Sequence, residues 1–288
     1  MIFENIPKNF FVYWDKSNLS YLNYLTIISF KKYNPDWKIF VYTPINTIID
    51  KTWITHEHKI SYTGKNYFDK LKDINGVEII EIDFSTIGFQ NDVSEVHKSD
   101  YIRYWLLYTY GGIWSDMDII YIKNIENLDY TTSMCYGTID KTTFGISYYD
   151  NIYRIGFIMS SKNNNIVKTL LDNCNKYFDK NEYQSIGNIL VKKCFANPGT
   201  IKSIFPDETI LLLHKNIYLI YNYDRLQKIF LKNDINYINY ISSTLNNMLG
   251  LHWYNGSTLA KNFQNNFSNG NRNKCSIEQL LKQHNLLE

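Results

Sequence analysis

The chain has 288 residues, 44% of them hydrophobic and 20% charged, and a formal net charge of +2. These ordinary values describe a globular α/β-sized chain that can bury a substantial core without disulfide or metal staples. A charge so near zero gives no whole-protein field for nucleic acid, and no apolar run is long enough to span a bilayer.

The opening "MIFENIPKNFFVYW" lacks a basic region followed by an apolar signal core, so a cytoplasmic location, or release without a conventional leader, is expected. Cys135, Cys174, Cys194 and Cys275 lie tens of residues apart and form no CxxC pair, which predicts buried free thiols rather than a zinc knuckle.

"NFFVYW", Asn9 to Trp14, reads as a strand. Ser17 is a candidate cap for the helix that follows, with Tyr21, Tyr24, Leu25 and Ile28 at helical spacing and Pro35 as its stop. "WKIFVYT" from Trp37 is a second strand, and strand–helix–strand over this span predicts a parallel pair. There is no GxGxxG after the first strand, so a dinucleotide fingerprint is absent. His56 and His58 alternate within what reads as an exposed loop. "YFDKLKDI" and "VEIIEI" (77–82) supply another helix and strand, which favours an α/β domain with a mostly parallel sheet.

The stretch "SDYIRYWLLYTYGGIWSDMDIIYI", 99–122, is the most patterned. A helix is predicted over about Val96 to Tyr110, with Ser99 or Asp100 free to cap early backbone N–H groups. Asp100 and Arg103, three apart, neighbour each other on it. Gly111 and Gly112 end it. If "IWS" continues extended, Asp116 and Asp118 project to one side while Met117 faces the core. Two close carboxylates repel, and a divalent cation with hard oxygen preference, Mg²⁺ or Mn²⁺, removes the conflict. The bland alternative is an acidic turn with both carboxylates merely solvated.

Further on, "IGFIMSS" (155–161) reads as a strand, "NIVKTLLDNCNKYF" and "YQSIGNILVKKCF" as helices, and "ETILLL" and "IYLIY" as strands. "GLHWYNGST" (250–258) reads as a strand running into a turn. Ser268 to Asn273 reads as a mobile Asn/Gly loop, and "SIEQLLKQHNLL" as a final helix that docks back, with Ser276 and Gln279 at capping-box spacing. No interdomain linker stands out, so one domain over 1–260 and a packed C-terminal loop and helix over 261–288 are expected.

The pattern S-D-x-x-R, an apolar helix, G-G-I-W and D-x-D resembles the DXD sugar-binding segment of family 32-type glycosyltransferases, elements shared with the glucosylating toxins of clostridia. Here they are Ser99, Asp100, Arg103, Gly111, Gly112, Trp114, Asp116 and Asp118. "NIPKNFFVYW" is similar to that family's opening strand, with Asp15, Lys16 and Ser17 replacing a Gly-containing continuation. "LHWYNGST" is similar to its C-terminal turn, with Thr258 where Trp is usual.

The resemblance implies a GT-A fold, with a Rossmann-like, mostly parallel sheet flanked by helices. It implies a retaining transfer of a hexose or N-acetylhexosamine from a nucleotide sugar, UDP favoured, to a glycan or other hydroxyl acceptor. By the same resemblance Trp14 stacks on the base, Asp100 holds sugar hydroxyls, Arg103 contacts sugar or diphosphate, and Trp114 lies near the ribose. Asp116 bridges donor and metal (Mn²⁺ or Mg²⁺), Asp118 ligates the metal, His252 completes its shell, and Asn255 and Ser257 lie near the diphosphate. Asp140, Asp150 and Gln184 fall in segments that can line the acceptor side. Two other readings compete: a haloacid-dehalogenase-like phosphatase with Asp116 as nucleophile, and a binding protein without turnover.

Overall fold

The computed structural model describes residues 2–48, 60–127, 134–136, 142–213, 218–220, 226–233, 236, 238–240, 243, 248–270 and 274–287. His56, His58 and Asp140 lie outside them, as does the 271–273 part of the Asn/Gly loop.

Strand β1 (Asn9–Tyr13) has Phe10, Val12 on one face and Phe11, Tyr13 on the other, and every one of them is buried. Such a run has no polar face because both sides of the sheet are covered. Phe10 and Val12 pack with Ile27 and Phe30 of helix α1 (Tyr21–Tyr33). Phe11 and Tyr13 pack with Ile102 and Leu106 of helix α2 (Glu95–Tyr110). Helix α3 (Asn165–Tyr177) lies on the α2 side, where Ile166, Val167 and Leu170 join the same core.

β1 pairs in parallel with β2 (Lys38–Pro44), and β2 with β3 (Val77–Ile82), building one half of the sheet outward. The chain then returns to the other side of β1 through α2 and lays down β4 (Gly112–Ser115), also parallel. The order reverses between β1 and β4, the place where open α/β sheets leave a crevice beyond their carboxyl ends. β5 (Ile119–Tyr121), β6 (Met134–Tyr136), β7 (Thr143–Tyr149), β8 (Ile152–Ser160) and β9 (Thr209–Leu212) follow. Among the described residues eight strands form one mixed sheet, ordered β3-β2-β1-β4-β8-β7-β9-β6, in which β8 runs antiparallel to β4 and β7. The expected α/β architecture, a largely parallel sheet flanked by helices, is the one found.

A second sheet joins β10 (Tyr218–Ile220), β11 (Gly250–His252) and β5. Its Ile120 and Leu251, the outer face of α1 (Leu22, Leu25) and the C-terminal helix Ser276–Gln283 (Ile277, Leu281) share a third core. The helix Thr258–Ser268 precedes that one and runs across position 260.

Several local expectations shift. Ser20, not Ser17, caps α1, accepting from Asn23 N at 3.2 Å; Ser17 bonds Asp15 instead. α2 begins four residues before Ser99, after Ser94, so Ser99 and Asp100 lie inside the helix rather than capping it. Cys275, not Ser276, precedes the last helix, and the Ser276 hydroxyl donates to Lys232 O. "YFDKLKDI" forms a 3₁₀ turn over Phe68–Asp73. Among the described residues no helix is long and apolar enough to cross a membrane.

Candidate active site

A cleft of about 450 Å³ opens at the carboxyl ends of β1 and β4. Trp14 follows β1 and Asp116 follows β4, so the two flank the point where the strand order reverses. Trp14 is held by its indole N–H, which donates to Ser17 O at 2.7 Å.

Asp116 and Asp118 do not stand in an extended segment. Residues 117 and 118 form a turn between β4 and β5, which belong to different sheets, so the same-side argument fails. The turn is pinned from α1 by buried Asn23, whose Nδ2 donates to Met117 O at 2.7 Å. It is pinned from β8 by Gly156 O, which accepts from Asp116 N at 2.7 Å. Both carboxylates nevertheless reach the cleft, and neither is merely solvated: their side chains are 34% and 15% exposed.

They face different partners. Asp116 Oδ1 accepts from Trp114 Nε1 at 3.0 Å and lies 3.7 Å from Arg103 Nη2. Asp118 Oδ1 lies 3.1 Å from His252 Nε2, and its Oδ2 accepts from Asn255 N at 2.9 Å. Burial pushes the Asp116 carboxyl above its usual range; Arg103 pulls against this, and the Asp118 charge adds to it. Burial also works on Asp118, but His252, the Asn255 amide and the Lys261 charge outweigh it and hold that carboxyl below its usual range.

Arg103 ties α2 to this turn. Its Nη2 lies 2.6 Å from Asp100 Oδ1, its Nη1 donates to Ile155 O at 2.9 Å, and its guanidinium sits 5.0 Å from the centre of the buried Trp114 ring. The other Asp100 oxygen, Oδ2, is buried with no hydrogen-bond partner. Burial, only partly offset by Arg103, pushes the Asp100 carboxyl up to about 7, with the Asp116 charge adding. Two glycines leave room for these carboxylates. A Cβ at Gly187 would lie 2.5 Å from Asp100 Oδ2, and one at Gly156 2.8 Å from Asp116 Oδ2.

The fold thus brings Trp14, Asp100, Arg103, Trp114, Asp116, Asp118, His252 and Asn255 to one cleft, with Gln184 beside them. Ser257 is the exception. It is buried, and its Oγ accepts from Ala260 N at 3.2 Å as the cap of the Thr258–Ser268 helix, because that helix begins where a phosphate-facing turn was expected. Asn255 offers the cleft its backbone, while its side-chain Oδ1 accepts from Lys261 Nζ at 2.6 Å. Asp150 is exposed on the β7–β8 turn.

Sequence reasoning missed Asn23, Gly156 and Gly187. Nothing local marks them, since each matters through a partner at least 40 residues away. It also missed a second cluster beside Trp14. There Tyr13 OH donates to Glu95, which also accepts from buried Lys98 at 2.8 Å and from Ile48 N at 2.7 Å.

Among the described residues no three of His, Cys, Asp and Glu converge to hold a metal by themselves. Asp118 and His252 do present one carboxylate and one imidazole side by side, with Asp116 across the turn. That set fits a divalent ion that takes few protein ligands and completes its shell with phosphate oxygens and water.

Residues 23–134 match the family model described as a glycosyltransferase sugar-binding region containing a DXD motif. The match takes in α1 from Asn23 onward, the Asp100–Arg103 pair and both turn aspartates, so this part of the chain is similar to the sugar-binding region of DXD glycosyltransferases. No curated protein matches the chain by sequence. Solved structures similar to it include the PaToxG glycosyltransferase, at 18% identity over 96% of this chain and 87% of that one, with a TM-score of 0.48. Another is the apo form of glycosyltransferase GlyE from Streptococcus pneumoniae TIGR4, at 12% identity, 86% and 55% coverage and a TM-score of 0.44. A third is the galactosyltransferase LgtC with donor and acceptor sugar analogs, at 12% identity, 91% and 95% coverage and a TM-score of 0.41.

Proposed function

We propose that the protein is a metal-dependent, retaining transferase of GT-A type. In this reading it moves a hexosyl or N-acetylhexosaminyl group from a UDP-sugar to a hydroxyl of a glycan or other acceptor. The observation that carries the reading is the meeting, in one cleft at the strand-order reversal, of the Asp100–Arg103 pair with Asp116 and the Asp118–His252 pair.

Trp14 takes the donor base on its ring, and its bond to Ser17 O supports a fixed ring plane. Asp100 takes hydroxyls of the transferred sugar. Its buried, unpartnered Oδ2 supports this, because such an oxygen gains most from a ligand O–H. Arg103 holds Asp100 and Asp116 in register and offers positive charge to the sugar–phosphate junction. Trp114 stands behind both, its N–H fixing the Asp116 carboxylate toward the ribose side of the donor.

Asp118 and His252 would hold Mn²⁺ or Mg²⁺, with Asp116 in the same cleft as a further oxygen donor; imidazole favours Mn²⁺. When bound, the ion neutralises the charge that develops on the leaving diphosphate. Asn255 fixes Asp118 through its amide, and Ser257 serves at one remove by capping the helix that carries Lys261. Retention without a protein nucleophile is met by a front-face course, in which the departing phosphate oxygen accepts the acceptor's proton. Gln184 stands beside Asp100 on the side left for the acceptor. The free thiols Cys174, Cys194 and Cys275 support a reducing, cytoplasmic setting.

The test is a panel of UDP- and GDP-sugars with Mn²⁺ and with Mg²⁺, scored by donor hydrolysis. Metal-dependent hydrolysis of one or more UDP-sugars is expected. Release of phosphate from phosphomonoesters, with no nucleotide sugar cleaved, would replace this reading with the phosphatase one.

A further inference from the structure

Among the described residues, one cation of the cleft is uncommitted. Arg103 is taken up by Asp100 and Asp116, and His252 lies on Asp118. Arg154 also lines the cleft, yet among the described residues no carboxylate pairs with it, and its Nε is buried without a hydrogen-bond partner. Tyr153, beside it in the same wall, buries its hydroxyl without a partner too. An arginine that merely edged the cleft would keep its donors in water. Here the Arg154 Nε and the Tyr153 hydroxyl are withdrawn from water and no acceptor among the described residues meets them, a loss that a bound ligand restores.

The position says which ligand. β4 ends at Ser115 opposite Phe157. β8 begins at Ile152, so its stretch from Ile152 to Gly156 runs past the end of β4 and overhangs the crevice. Gly156 is where Asp116 Oδ2 comes against β8. Residues two apart on a strand share a face and stand about 7 Å from each other. Arg154 therefore lies roughly one sugar ring beyond the Asp116 carboxylate. The Asp118–His252 pair, assigned to the metal, is held instead by the turn after β4 and by β11 of the second sheet. A planar guanidinium fork in that place matches a carboxylate or a phosphate.

Resting on the reading of the cleft as a nucleotide-sugar transferase site, we infer that Arg154 recognises an anionic group on the acceptor. The acceptor class is then a hydroxyl compound bearing a carboxylate or phosphate, such as a uronic acid or a sugar phosphate. Arg154 sets acceptor specificity and takes no part in bond making.

The test compares wild type, Arg154→Gln and Arg154→Lys, with and without UDP and Mn²⁺. Methyl glucuronide, glucose 6-phosphate and neutral methyl glucoside are the probes, and binding is read by ligand-observed NMR, without turnover. Wild type is expected to bind at least one acidic probe tenfold or more tighter than methyl glucoside. Arg154→Gln loses that preference, and Arg154→Lys keeps part of it because the charge remains. Equal binding of the three probes by wild type, or a preference that survives Arg154→Gln, overturns the inference. Calorimetry with UDP and Mn²⁺ separates the two sources of anion: a tenfold loss of UDP affinity in Arg154→Gln assigns the arginine to the diphosphate and overturns it as well. An acidic-probe preference accompanied by no binding or hydrolysis of any nucleotide sugar would instead defeat the transferase reading.

Discussion

Replacing Asp100 by Asn probes the most deeply buried charge of the cleft. The wild-type carboxyl is 1% exposed, and burial outweighs its Arg103 partner and lifts it from 3.8 to about 7. Between those values the folded protein holds a proton that the unfolded chain releases. Stability from this group is therefore fully present below about 4 and is lost as pH rises to 7. From pH 5 to pH 8 the group passes through its folded pKa. At 1.36 kcal/mol per unit, about two units of differential protonation remove roughly 2–3 kcal/mol.

Asn fills the same space and cannot titrate. Urea unfolding of both proteins at pH 5 and pH 8 should show wild type losing roughly 2–3 kcal/mol more than Asp100→Asn over that interval. A stability gap that is the same at both pH values would refute the reasoning. It would mean that Arg103 keeps Asp100 ionised throughout and that the ion pair, not burial, governs it.

Asp118→Asn keeps an oxygen for the Asn255 amide but loses the charge, so metal-dependent donor hydrolysis should vanish while the melting temperature and circular dichroism hold. Trp14→Ala should weaken donor binding by about 1–3 kcal/mol, the worth of a base stacked on an aromatic ring, as read by calorimetry. Gly156→Ala would set a methyl 2.8 Å from Asp116 Oδ2. Because the φ there is ordinary, the strain falls on the carboxylate, and donor hydrolysis should drop at least tenfold with little change in urea midpoint.

How much of this was legible depended on how far each signal reaches along the chain. Strand β3 was read at its observed bounds, and the end of α2 at Gly111 was marked by a glycine that takes φ +67° and ψ 165°, a conformation that L side chains rarely adopt. Asp100 and Arg103 meet as a one-turn pair because helix geometry alone brings them together. Caps slipped by one residue at the last helix, three at α1 and five or six at α2, since the candidate residues differ only in what tertiary packing leaves to them.

The carboxylate turn was misjudged for a longer-range reason. A period of two holds while a strand continues, and β4 stops at Ser115 because its onward path belongs to another sheet. The helix Thr258–Ser268 was overlooked although Ala260, Phe263 and Phe267 mark a face, because its asparagines are poor helix formers. Nothing local in the sequence marks Arg154; only the overhang of β8 gives it a place.

That turn has a mechanical consequence. Asp116 is fastened to the large sheet through Gly156, while Asp118 is fastened to the small one through His252, Trp253 and Asn255. A ligand that grips both carboxylates is thus a clasp across a seam, and prying the small sheet loose means breaking that grip first. Occupancy and architecture are then two readings of one coupling: the bound state is also the state in which the molecule is hardest to take apart.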